Sequence, residues 1–136
     1  MFIPEPLEDE SYGLGVPQPY PYGLPEELPR SVATPALAAS LVAFTGQGRL
    51  MGFTVTNTKG NSQFILVFDA SSLPAEGSVP VMAIDIAATI AKGVSFIPGG
   101  RWMRVGCVLC NSSTQGTKTI GSSDCLFDVQ YVPQVI

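Results

Sequence analysis

Histidine is absent from this 136-residue chain. Its absence removes the commonest general base, the usual partner of a catalytic serine or cysteine, and the commonest zinc ligand. Charge is scarce as well: 13% of residues are charged and 46% are hydrophobic. A water-soluble chain of this size with so little charge is expected to keep apolar surface after folding, and such surface marks contacts with other chains. No apolar run approaches the roughly 18–20 residues that span a bilayer, so no membrane association is expected. The N-terminus, Met1-Phe2-Ile3-Pro4-Glu5, has neither a basic nor an apolar leader region, and synthesis in the cytoplasm of a host cell is expected. Without a secretory route, Asn111-Ser112-Ser113 is a glycosylation acceptor in pattern only.

What charge there is lies unevenly. Residues 1–30 carry six acidic side chains (Glu5, Glu8, Asp9, Glu10, Glu26, Glu27) against Arg30, while residues 31–136 carry five acidic and six basic ones. The body lacks a basic stripe and the acidic segment would be repelled by phosphates, so no nucleic acid is expected as a partner.

Seven of the twelve prolines fall within residues 1–30. Each lacks an N–H donor and drives its predecessor into extended geometry, which argues against helix and central strand there. Pro17-Gln18-Pro19-Tyr20-Pro21-Tyr22 is expected to be polyproline-II-like. Residues 1–35 are therefore assigned to an extended arm. Its large side chains (Phe2, Ile3, Leu7, Tyr12, Leu14, Tyr20, Tyr22, Leu24 and Leu28) are the candidate contact residues for a capsid or a neighbouring subunit. A merely solvating tail has little use for so many apolar groups, and proline lowers the entropy lost on binding.

Residues 36–136 read as about eight short strands: Leu37–Phe44, Arg49–Asn57, Phe64–Asp69, Val79–Ile86, Val94–Ile97, Trp102–Cys110, Thr117–Ile120 and Leu126–Val132. Glycine, proline, asparagine and serine punctuate the gaps. That spacing predicts an all-β domain, a β-sandwich or jelly roll. Phe127, Val129 and Tyr131 alternate with Asp128 and Gln130, as a half-buried strand requires. Phe64, Leu66 and Phe68 form one row with Ile65 and Val67 behind it. Such two-sided strands are expected to face a core on one side and a subunit contact on the other. Met103, Val105, Cys107 and Leu109 form a further row. Met82, Ile86 and Ile90 recur every four residues, so Ala83–Lys92 is a helix alternative, with its first half read as strand.

Motifs that carry chemistry are thin. Cys107-Val108-Leu109-Cys110 matches C-x-x-C but lies in a strand, where about 3.3 Å per residue puts the two Cα atoms roughly 10 Å apart on opposite faces. A disulfide needs about 7 Å or less, and zinc would lack a second ligand pair, since only Cys125 remains. Three free buried thiols are expected. Asp69 and Asp124 fall where strands meet loops, which suits turn hydrogen bonding better than a glycosidase pair. Pro98-Gly99-Gly100-Arg101 reads as a hairpin turn, not a phosphate loop. No catalytic, cofactor or metal residues are assigned, and no enzyme activity is expected.

The strand-and-turn succession from Gly48-Arg49-Leu50-Met51-Gly52-Phe53 through Gln63–Asp69, Leu73-Pro74-Ala75-Glu76-Gly77, Gly99-Gly100-Arg101 and Asn111–Thr114 to Phe127–Tyr131 resembles small virion proteins of tailed bacteriophages, namely capsid decoration (cement) and head-fibre proteins. The resemblance implies a structural role on the virion, self-association and no cofactor. The expected partners are a major capsid protein and further copies of the chain, most simply as a homotrimer at local three-fold positions on the capsid surface. The rival expectation is a tail- or head-fibre module that binds host surface glycans through Trp102 and Asp124.

Overall fold

A computed structural model describes residues 28–134. Among them are nine strands and no helix: β1 (Arg30–Ala33), β2 (Ser40–Thr45), β3 (Gly48–Asn57), β4 (Gln63–Phe68), β5 (Met82–Ile86), β6 (Ile90–Ser95), β7 (Arg101–Met103), β8 (Gly106–Ser112) and β9 (Cys125–Pro133). All pairs are antiparallel. One sheet, here sheet A, runs β1-β9-β3-β6, with β7 also on β3; the other, sheet B, runs β2-β8-β4-β5.

This order is that of a jelly roll. Strands pair outside-in, β1 with β9, β2 with β8, β3 with β6 and β7, β4 with β5, and the ladder rolls up through the additional β9–β3 and β8–β4 pairs. Strands β6 and β7 are one edge strand broken in two. β6 faces Gly52–Asn57 of β3, β7 faces Gly48–Leu50, and Phe96–Gly100 loops out between them. The glycines at 99 and 100 thus belong to that outward loop, not to a hairpin, because β6 and β7 pair with β3 and not with each other.

The two sheets enclose a core of Phe44, Leu50, Phe53, Val55, Ile65, Val67, Ile86, Met103, Cys107, Leu109, Phe127 and Val129, all buried. Period-two alternation places them there: Phe127 and Val129 of β9 point inward and Tyr131 stacks on Phe44, with ring centroids 4.7 Å apart.

The outer face of sheet B has a second, smaller core. Leu66, Phe68, Val108 and Cys110 are buried there with Phe64, Ala70, Ala83 and Ile120 packed against them. Ala70 and Ile120 come from the connections β4–β5 and β8–β9, which cover this face. The second apolar side of β4, expected to meet another subunit, is therefore occupied by the chain's own loops.

Four further expectations change. β1 lies within residues 1–35, so the sandwich begins at Arg30; four ladder pairs with β9, Arg30 with Tyr131 through Ala33 with Asp128, hold it despite Pro29. Trp102–Cys110 is two strands, since the chain crosses from sheet A to sheet B at Arg104-Val105; hence Val105 is exposed while Met103, Cys107 and Leu109 are buried. Thr117–Ile120 makes only an isolated bridge, Ser112 with Ile120. Ala83–Lys92 is strand, turn and strand: Met82, Ile84 and Ile86 face the core with period two, and Ile90 is exposed.

Candidate functional site

Each side chain capable of chemistry can be followed to its partners. Asp69 ends β4 beside the Arg104-Val105 crossing. Its Oδ1 accepts the Val105 N–H at 2.8 Å, the Arg104 N–H at 3.1 Å and the Gly106 N–H at 3.3 Å, and Oδ2 also accepts from Arg104 at 3.0 Å. Burial would raise the Asp69 pKa, but these three N–H donors and the Arg104 charge outweigh it and hold the carboxyl below its ordinary 3.8. Asp69 is an anchor for the crossing, as its place at a strand end suggested.

Asp124 belongs to a polar plug at one end of the sandwich. Gln63 Nε2 donates to Asn57 Oδ1 at 2.8 Å and to Asp124 Oδ1 at 2.9 Å. Asn111 Nδ2 donates to the Ser122 carbonyl at 2.7 Å and to Asp124 Oδ1 at 3.0 Å. Ser122 Oγ donates to Asp124 Oδ2 at 2.8 Å. Asn57 Nδ2 reaches the carbonyls of Asn61 and Ala87, and Gly121 N–H closes on Asn111 Oδ1. Burial again opposes ionisation of Asp124, and the Gln63, Ser122, Cys125 and Asn111 donors overcome it, lowering the pKa.

The sequence reading did not single out Asn57, Gln63 and Asn111, all fully or nearly fully buried. The signal was available. Asn57 continues the inward phase of Phe53 and Val55, Gln63 that of Ile65 and Val67, and Asn111 that of Cys107 and Leu109. Three amides in core phase at strand ends predict a hydrogen-bonded cap.

The loops over sheet B are tied by Lys118, whose side chain is buried and whose Nζ donates to Glu76 Oε2. Main-chain bonds Gly77 N–H to Lys118 O and Lys118 N–H to Ser78 O reinforce the contact. Lys118 and the Ile120 N–H keep the Glu76 pKa below its usual value. Asp85 pairs with Lys92 across the corner between sheets, and Asp128 accepts from Gln130. Asp69, Glu76 and Asp124 thus tie loops and strands together, whereas Asp85 and Asp128 make exposed surface contacts.

The three cysteines are free and buried. Cys107 is in the inter-sheet core and Cys110 in the outer one, on opposite faces of β8 as the spacing predicted. Burial pushes the thiols up, to about 12 for Cys107, about 11 for Cys110 and about 12 for Cys125. Among the described residues, no three of Cys, Asp and Glu gather as a metal site.

No family model, curated protein or solved structure matches this chain. The functional reading therefore rests on its surfaces.

The outer face of sheet A differs from that of sheet B. Ladder partners share a face, so Trp102, Arg49 and Val132, the last of them buried, form one outer row, Ser95, Gly52, Gln130 and Ser31 the next, and Gly93, Thr54, Asp128 and Ala33 a third. These side chains are mostly small or polar. A shallow depression of about 430 Å³ lies among Met51, Gly52, Thr54, Gly93, Ile97 and Gln130. Ile97, one of its lining residues, is 74% exposed, and Trp102, opposite Arg49 on β3, is 47% exposed.

Trp102 and Asp124 do not form one site. Trp102 is level with Arg49, and Asp124 precedes Cys125, which is level with Asn57. Eight residues of β3 separate the two levels, about 27 Å. Of the candidate contact residues, Leu28 is described and exposed, two residues before β1. Phe2, Ile3, Leu7, Tyr12, Leu14, Tyr20, Tyr22 and Leu24 lie outside the described residues.

Proposed function

We propose that this protein is a non-enzymatic structural component of a virus particle, a decoration protein that seats its jelly roll on the outside of a tailed-phage capsid and clamps neighbouring capsid subunits. The observation that carries the reading is the division of labour along the chain. The jelly roll commits Asp69, Glu76, Asp124 and its buried amides to its own framework. The acidic, proline-rich segment with most of the contact-type side chains enters that framework at an edge strand, β1. Jelly rolls serve as capsid and lectin domains, a fold-level analogy that is compatible with the role without specifying it. The partners in this reading are the major capsid protein and further copies of the chain, with a trimer as the simplest assembly. In this reading self-association uses sheet A, the exposed loops or the arm, since the chain's own connections pack on the outer face of sheet B.

The mechanism is contact area. Each large side chain buried against a capsid contributes about 1.5–3 kcal/mol, offset in part by the cost of ordering the arm. Glycan binding by a fibre module is the weaker reading, because its aromatic and its carboxylate are at opposite ends of the sandwich.

Co-sedimentation with undecorated capsids, assembled from the major capsid protein of the same genome, tests the proposal. The full chain should bind saturably and raise the temperature at which the particles disrupt. A chain lacking residues 1–27, which spares β1, should remain folded and lose stable occupancy. Capsids that retain no full-length protein at saturating concentration would refute the assignment.

A further inference from the structure

The arginines of the jelly roll are not spread over it. Beyond β1 they are Arg49, Arg101 and Arg104, and all of them lie within or beside the short ladder of β7 with β3. Arg49 is opposite Trp102. Arg101 shares the phase of Leu50, but its exposed head reaches past the core to the Val81 carbonyl. Arg104 opens the crossing from sheet A to sheet B. The lysines lie elsewhere: Lys92 is level with Val55, Lys59 follows the far end of β3, and Lys118 is buried in the cover of sheet B.

These guanidinium groups are largely unengaged. Arg49 Nη1 donates to the Gly99 carbonyl at 3.2 Å and Arg101 Nη2 to the Val81 carbonyl at 3.3 Å. Among the described residues the ion pairs are Lys92 with Asp85 and Lys118 with Glu76, and no arginine takes part in one. Asp69, at the same crossing as Arg104, uses its oxygens on the backbone N–H groups of Arg104, Val105 and Gly106. An arginine without a carboxylate partner presents a planar fork of donors that fits one in two parallel bonds. The apolar groups of this corner are open as well: Trp102, Val105 and Val81 are all exposed. The Arg101–Val81 bond carries the patch around the β7 edge on to the β4–β5 connection.

We propose that this corner, with Trp102 among Arg49, Arg101 and Arg104 and with Val105 and Val81 at its margin, is a docking surface for an acidic polypeptide segment of a partner protein. The segment sets carboxylates on the guanidinium groups and an apolar side chain on the indole. Charge complementarity selects that partner. Clustered cations without an opposing carboxylate favour an anion, and tryptophan and arginine are the side chains that dominate protein contacts. A nucleic-acid strand would find a charged corner and no track leading from it, since Asp128 lies two rows along the same face. The valines at the margin also suit apolar side chains and offer nothing to a phosphate chain. The inference makes no use of the capsid assignment and is tested on the protein alone.

Trp102 is the only tryptophan, so its emission reports on the corner in the full-length protein. The probe is a short synthetic peptide of Glu-Glu-Leu repeats, with affinity measured by calorimetry. It should shift the Trp102 emission saturably and bind more weakly as salt rises. Arg101→Gln/Arg104→Gln should weaken binding roughly tenfold, the sum of two exposed ion pairs. Lys59→Gln/Lys92→Gln removes as much charge away from the corner and should leave the affinity within about twofold. Far-UV circular dichroism verifies that both variants keep the fold. Lys-Lys-Leu repeats and a single-stranded oligothymidylate should not bind. No binding of the acidic peptide at about 1 mM, equal affinity in the two double variants, or oligothymidylate bound as tightly as the acidic peptide would each overturn the proposal.

Discussion

Replacing Asp69 with alanine removes one small side chain and frees three backbone donors. The N–H groups of Arg104, Val105 and Gly106 all point at its carboxylate. A hydrogen bond to a charged group contributes about 1.5–3 kcal/mol when sheltered. Arg104 and Val105 are exposed and would be rehydrated after the substitution, whereas Gly106 is buried and its N–H would not. The loss should therefore be about 2–3 kcal/mol in total, not three full bonds. For a domain of this size that is a fall in Tm of roughly 7–13 °C. Asp69→Asn keeps one acceptor oxygen and should cost about half as much. Urea melts followed by circular dichroism measure both, with unchanged m-values if the denatured state is unaffected. The pH dependence provides a second test. The folded pKa of Asp69 lies below the ordinary value, so its contribution is complete above about pH 4. It disappears as the pH falls through the folded pKa. The wild type should thus lose stability below pH 4 faster than Asp69→Asn. A cost under about 0.5 kcal/mol for Asp69→Ala, or identical acid limbs, would refute the view that this carboxylate holds the sheet-to-sheet crossing.

Gly106→Ala should destabilise by about 3 kcal/mol or more, because its Cβ would fall 2.5 Å from the Ala70 carbonyl oxygen and 2.7 Å from that of Phe44; denaturant melts decide. Thr89 has φ +52° in the β5–β6 turn, so Thr89→Asn should stabilise by about 0.5–1 kcal/mol, and a loss in the same assay would count against strain there. All three thiols should resist an aromatic disulfide reagent at pH 8 in the native state and all three should react after denaturation without reductant; a titre of one would mean that a pair had bridged.

The strands whose apolar residues alternate were legible in the sequence, β3, β4, β8 and β9 above all, because burial on one or both faces dominates their composition. β1 was not legible. Four residues after a proline carry too weak a periodicity, and it is a strand only because β9 offers it a ladder. The break between β7 and β8 was hidden inside the unbroken alternation of Met103, Val105, Cys107 and Leu109; the crossing depends on Asp69, thirty-five residues away. The second layer over sheet B was hidden for a related reason. Two-sided apolar strands announce burial, but nothing local says whether a subunit or a loop supplies the cover. The polar plug could have been read from Asn57, Gln63 and Asn111 in core phase. The depression on sheet A could not, because it arises where Gly52 and Gly93 become neighbouring levels only through pairing.

The interrupted β6–β7 edge bears on behaviour at high local concentration. A long exposed strand edge is a template for another chain to zip on to, and proteins gathered densely on one surface meet that hazard continually. Here no edge is long. β6 stops at Ser95 and gives way to a loop holding Pro98. β1 has four residues and follows Pro29. β2 is kinked by a register shift between Val42 and Phe44, and β5 has five residues. Among the described residues, then, the sandwich offers neighbouring copies only short or interrupted edges, a poor template for edge-to-edge growth into an open-ended fibril.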